Sequence, residues 1–269
     1  MLAAVIFAVS FVVFPVSAQA VKLGVVKDSI LTIDSNIKSI PDYTYKDRTD
    51  IKEVRFSAFS KLQEIGDYAF LGCANLKKIT LPETLLKLGE GAFRECYALD
   101  SLVIPKGVKT LPKALCMWDR NLKSVALPNR LADIGSHAFA YCESLSEIEI
   151  PSAVVHIGSN VFSGCSNLKE IELPANLKEL ESYAFSDCKS LVRAKLPANS
   201  NMLGELIFSG CINLRELIAP SKIPPTFDCN SFIFEPDEIE LYDHCRLVVP
   251  KKNEDAYRSA LGWNLFKNF

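Results

Sequence analysis

Histidine is scarce in this chain, with three residues in 269. His137, His156 and His244 stand at no catalytic or metal-binding spacing, and His137 and His156 read as exposed turn residues. There is no G-x-S-x-G, no P-loop and no H-E-x-x-H. A catalytic group needs positioned partners, and none is visible, so the reading is non-enzymatic and calls for no cofactor. No C-x-x-C occurs, and His244 alone lies near the last two cysteines, which argues against zinc. The chain also lacks a concentrated basic stretch. Net charge is −2 with Lys and Arg spread throughout, which excludes a nucleic-acid binder.

Charge is missing altogether from the first twenty residues, "MLAAVIFAVSFVVFPVSAQA". The apolar run Leu2 to Phe14 is short for a membrane span, and Ala18-Gln19-Ala20 fits a signal-peptidase site. Residues 1–20 are therefore expected to be a signal peptide. The mature chain is expected to be secreted or held at the cell surface, with no membrane span and as a monomer.

What is present is a period. Ile65, Leu88, Leu111, Ile134, Ile157, Leu180 and Leu203 step by 23 residues, as do Phe70, Phe93, Cys116, Phe139, Phe162, Phe185 and Phe208. Leucines from Leu76 to Leu214 and prolines from Pro82 to Pro220 keep the same step. An imperfect earlier unit carries Ile40, Tyr45, Ile51, Val54 and Phe56, with Arg48 at the cysteine position. Within a unit, Ile79 and Leu81 share one strand face while Lys78 and Thr80 take the other. Proline then stops the strand, having no N–H for a ladder. "IGDYAFLGC" reads as a short helix or 3₁₀ turn. Such a unit cannot bury its apolar face alone, but stacked units can, which predicts a solenoid. The expected order is a first cap over 21–36, about eight repeats over 37–222 and a second cap over 223–269. In that last cap Asn253 is expected to start a short helix running through Leu261, with Ala256, Tyr257, Ala260, Leu261 and Trp263 facing the last coil.

Nine cysteines in an exported chain first suggest disulfides. Six of them (73, 96, 142, 165, 188 and 211) hold one repeat position, where stacking points their Cβ vectors in parallel rather than toward each other. They read as small buried apolar residues. Cys116 occupies a phenylalanine slot, with Trp118 expected to swing in beside it. Cys229 and Cys245 lie outside the repeat and are either free or bridged across the C-terminal cap.

The units match the pattern I-G-x-x-A-F-x-x-C-x-x-L-x-x-I-x-[LI]-P. In this the chain closely resembles the BspA-like leucine-rich-repeat family of bacterial surface proteins, over Ile37 to Lys222. The tail "CRLVVPKKNEDAYRSALGWNLFKNF" also resembles the segment closing many such arrays. "ALCMWDRNL" departs most from the pattern. The resemblance implies an α/β-type repeat solenoid: a right-handed superhelix of 23-residue coils, with short parallel strands on one face and short helical or 3₁₀ turns on the other. It also implies adhesion-type roles, with a protein or glycan of a host or neighbouring cell as partner.

The outward strand face is where such a partner would sit. From unit to unit it carries Ser101 and Val103, Ser124 and Ala126, Glu147 and Glu149, Glu170 and Glu172, then Arg193 and Lys195. Four stacked glutamates repel one another. Either Arg193 and Lys195 on the next strand offset that repulsion, or the block receives a basic patch of a partner or Ca²⁺. No metal ligand set is assigned. A passive spacer within an envelope assembly is the alternative function.

Overall fold

A computed structural model describes residues 23–200, 202–227, 232–235 and 238–269. The expected signal peptide and Cys229, half of the possible terminal bridge, lie outside the described residues.

The chain winds as a parallel-strand solenoid. Residues of the L-x-x-I-x-[LI] segment form one ladder in three runs. The first joins Ile30–Ile33, Glu53–Phe56 and Lys78–Ile79, and the second joins Ser101–Val103 to Ser124–Ala126. The third runs through Glu170–Glu172, Arg193–Lys195, Glu216–Ile218 and Arg246–Val248. The central residue of each rung, such as Leu102, Val125, Ile171 or Leu217, is buried, and its neighbours face out. This is the alternation that places one strand face in a core.

The other half of each coil differs from expectation in two respects. First, it holds a second ladder of two-residue strands. Thr110–Leu111, Asp133–Ile134, His156–Ile157 and Glu179–Leu180 pair in parallel, with Leu111, Ile134, Ile157 and Leu180 directed inward. Second, the segment read as a short helix or 3₁₀ turn is a chain of tight turns with bonds of three-residue span, and not a continuous helix. The amides of Tyr68, Phe70 and Gly72 donate to the carbonyls of Glu90, Ala92 and Arg94 in the next coil at 2.7–2.9 Å. Those of Leu71 and Cys73 bond within their own coil. A helix would keep every amide in its own coil, so sharing alternate amides between coils excludes it. Each coil therefore carries two left-handed residues four apart, such as Ala114 and Trp118, or His137 and Tyr141. For non-glycine residues this costs roughly 1 kcal/mol apiece, offset by the bonds to the adjoining coil.

Ring stacking fills the core. Phe139, Phe162, Phe185 and Phe208 are fully buried, with successive centroids 5.6, 5.3 and 5.6 Å apart. Tyr45, Phe70 and Phe93 form a second stack, at 5.1 and 5.7 Å. Cys116 separates the two. Trp118 does not swing in beside it. It adopts a left-handed backbone (φ 73°), lies flat on Tyr141 at 3.9 Å, and has the Arg120 guanidinium 5.2 Å from its ring.

The repeat cysteines are buried free thiols. From Cys96 onward each of these thiols donates to a carbonyl 26 residues earlier: Cys96 to Phe70, Cys142 to Cys116, Cys165 to Phe139, Cys188 to Phe162 and Cys211 to Phe185, at 3.1–3.3 Å. Cys73 reaches back 28 residues, to Tyr45 O at 3.0 Å, across the two extra residues of the first unit. Burial pushes their pKa up, which keeps them as unreactive thiols. One coil departs: the 23-residue step from Cys96 to Cys142 lands on Asp119, which is fully buried. Its Oδ1 accepts the Cys96 amide at 2.8 Å, while Oδ2 is buried without a partner.

The solenoid ends are covered differently. Gly24–Lys27 folds back antiparallel on Ile30–Ile33 at the first coil. At the other end stands an unexpected helix, α1 (Ile239–His244), and after the rung Arg246–Val248 comes α2 (Glu254–Ser259). Helix α2 starts after Asn253 as expected, but it stops at Ser259 rather than Leu261, and Gly262 then takes φ 80°. Tyr257 and Trp263 are buried against the last coil. The Tyr257 hydroxyl donates to Ser221 O at 3.0 Å, and Trp263 Nε1 donates to Pro225 O at 2.7 Å. Ala256 and Leu261, expected to face the coil, point to solvent, Leu261 being 60% exposed. A six-residue helix offers one inward position here, Tyr257, and Trp263 and Phe266 beyond it supply the remaining cover.

Candidate binding face

The first ladder turns its outward residues into one continuous exposed surface. Ser101 lies in register with Ser124 and Val103 with Ala126; all four are exposed, Val103 to 64%. These small side chains leave a shallow floor. At the other end Glu170 faces Arg193, Glu172 faces Lys195, and Arg193 faces Glu216. Arg193 Nε bonds Glu216 Oε1 at 2.9 Å while its Nη1 stands 3.9 Å from Glu170, and Lys195 pairs with Glu172. The offsetting cations expected for the glutamate block are therefore in place for Glu170 and Glu172.

They do not reach Glu147 and Glu149. Both carboxylates are exposed, and among the described residues neither has an ion pair or a hydrogen bond. The backbone beneath them is open as well. Where the repeat places a rung, residues 147–150 form no strand, and their amides and carbonyls have no partner among the described residues. Ile148 is correspondingly half-buried, whereas its counterparts Val125 and Ile171 are buried. Grooves flank the segment on both sides. One of about 970 Å³ runs toward Glu172, Pro174 and Lys195, and one of about 560 Å³ runs toward Ser124, Ala126 and Glu170. The candidate residues thus fall into a small-residue floor, an uncompensated acidic opening, and a neutralised glutamate–cation strip. Among the described residues no group of three His, Cys, Asp or Glu side chains is arranged to hold a metal ion.

The opposite ladder carries a cluster absent from the sequence-based expectations. His156 lies on a strand rather than in an exposed turn and is half-buried between Asp133 and Glu181. The signal was present, because Asp133, His156 and Glu179 follow one another at the repeat step. His137 does sit in the turn, but it is half-buried, with Nδ1 unpartnered.

Comparison with known proteins agrees with this architecture. The profile of the BspA type leucine rich repeat region matches residues 27–116 and 109–233, in six copies. A leucine-rich repeat protein of Bacteroides ovatus is similar in structure at a TM-score of 0.59 and 21% identity, over 85% of this chain and 75% of that one. A leucine rich cell surface protein of Faecalibacterium prausnitzii gives 0.50 at 22% identity, over 73% of this chain and 67% of its own. No match was found among curated proteins. The 23-residue step, the buried Phe and Cys columns, the parallel ladders and the matching profile together identify this chain as a member of the BspA-type leucine-rich-repeat family.

Proposed function

We propose that the chain is a non-enzymatic binding protein, exported and held at or released from the cell surface. It acts as a monomer that uses the first ladder's outward face to engage a protein or glycan of a host or neighbouring cell. A rigid repeated face of this kind is the surface solenoids use for binding. The observation that carries the reading is the pair Glu147 and Glu149, exposed over an opened stretch of backbone and without a cation partner among the described residues. A partner with a basic patch satisfies both features at once. The floor of Ser101, Val103, Ser124 and Ala126 receives the partner's apolar edge, and Arg193 and Lys195 bound the site on the far side. No helix among the described residues is long and apolar enough to cross a membrane.

The test is binding to a panel of purified matrix proteins and mucin-type glycans, with the wild type beside a variant carrying Glu147, Glu149, Glu170 and Glu172 changed to Gln. The two carboxylates left unpaired, Glu147 and Glu149, at about 0.5 kcal/mol each make roughly 1 kcal/mol, or a loss of about five-fold in affinity. The same binding should weaken as salt rises. Equal affinity for both proteins removes this site, and absence of binding across the panel favours a passive spacer.

A further inference from the structure

The second ladder contains a constellation that the binding face does not use. Asp133, His156 and Glu179 lie directly in register on three successive strands, their side chains outward. His156 Nδ1 is 2.9 Å from Asp133 Oδ2, and Nε2 is 2.9 Å from Glu181 Oε1 and 3.9 Å from Glu179 Oε2. The other Glu181 oxygen is held at 2.9 Å by the Ser159 amide and at 2.6 Å by its hydroxyl, so that carboxylate is fixed in place. Glu181 is itself a departure from the repeat. The equivalent positions, 66, 89, 112, 135, 158 and 204, are Gly or Pro. A charged side chain stands at this column only in the coil where it reaches back to His156.

Both ring nitrogens thus face carboxylate oxygens, which only accept. A neutral imidazole has one N–H, so one of the two contacts would then set a lone pair against an anion. The imidazolium satisfies both. We propose that His156 is a proton-gated clasp: protonated, it donates to Asp133 in the preceding coil and Glu181 in the following one, cross-linking three coils, and on losing its proton it releases one of them. The three tied coils are those whose strand faces carry Glu147 and Glu149, Glu170 and Glu172, and Arg193 and Lys195. Opening the clasp therefore loosens the part of the first ladder where backbone pairing is already interrupted. The clasp itself stands whether or not that face binds a partner.

The direction of the pH dependence follows from the groups in contact with His156, namely Asp133, Glu179 and Glu181. Burial pulls the imidazole pKa down, but the Glu181 hydrogen bond and the Asp133 charge outweigh it, leaving the pKa above the ordinary 6.5. A raised histidine pKa contributes stability that is complete below the unfolded value and lost as pH rises through the folded one. Glu181 is lowered by the Ser159 hydrogen bond first and by His156 as well, against burial, which raises it, so its contribution is lost as pH falls through a value below 4.5. The clasp is closed between those limits.

The test is proton NMR titration of the histidine Cε1 resonances in the full chain, with His156 assigned by its loss in His156→Gln. The expected midpoint for His156 lies above that of a blocked histidine peptide in the same buffer, and it moves down in Glu181→Gln and again in Asp133→Asn. Amides of residues 156–182, corrected for intrinsic rates, should exchange faster above the midpoint than below it. A wild-type midpoint at or below the peptide's would overturn the proposal, and so would a midpoint unmoved by both carboxylate variants. The wild-type titration needs no variant to fold.

Discussion

Truncating Phe162 to alanine is expected to destabilise the protein by about 3–5 kcal/mol, the usual cost of emptying a buried aromatic site. Phe162 is fully buried and stacks on both sides, with Phe139 at 5.6 Å and Phe185 at 5.3 Å. Phe93 provides the internal comparison. It is equally buried but has a ring neighbour on one side only, Phe70 at 5.7 Å, because the next coil offers Cys116. A stacked aromatic pair is worth about 1 kcal/mol beyond the area it buries. Phe93→Ala should therefore cost about 1 kcal/mol less than Phe162→Ala. Because a solenoid coil touches only its neighbours, the Phe162 variant should also melt over a broader range as the halves uncouple. Calorimetry of the two variants decides it; equal costs would mean that ring stacking adds nothing to burial here.

The second large effect has the opposite sign. Asp119→Cys, which restores the residue every other repeat from Ile65 onward carries at that position, should stabilise the fold by about 2 kcal/mol, within the range for a buried polar group left without a partner. For a chain of this size that is on the order of 4–8 °C in Tm. The gain is pH-dependent. Burial above all pushes the Asp119 pKa well up, against the Cys96 amide and the Cys116 thiol that work to lower it. A carboxyl whose folded pKa is raised contributes most below its unfolded value, near 3.8, and loses that contribution as pH rises through the folded value. The difference in Tm between variant and wild type should therefore widen from pH 4 to pH 8. A constant difference, or a less stable variant, would show that Oδ2 is better satisfied than its surroundings indicate.

How much of this was legible in sequence depends on what repeats. The 23-residue step located the buried columns, because equivalence under stacking is a property of spacing alone. The core position of the thiols is legible for the same reason, since a parallel column leaves no pair facing. The second ladder and the left-handed turns were not legible. Two-residue strands leave no periodicity, and "IGDYAFLGC" has the composition of a helical turn until its alternate amides are given to the next coil. Asp119, within the departing stretch "ALCMWDRNL", and Glu181, in a column of Gly and Pro, are both marked by the 23-residue step as breaks in a column, but their buried or paired surroundings are not. At the candidate face the exposed residues follow from strand alternation. The break at residues 147–150 was invisible, because "LSEIEIP" fits the strand pattern as well as any other unit.

Hydrogen exchange across residues 145–173, in the free protein and with whichever panel member binds, reports on the opened segment and its partner together. In the free protein, fast exchange is expected at the unpaired amides of 147–150, beside slow exchange at Ile171 and Leu173, which face the next coil. On binding, protection should appear at 124–126 and 147–150. Slow exchange at 147–150 in the free protein, or protection confined to the turn segments and end caps, would contradict the proposed binding face.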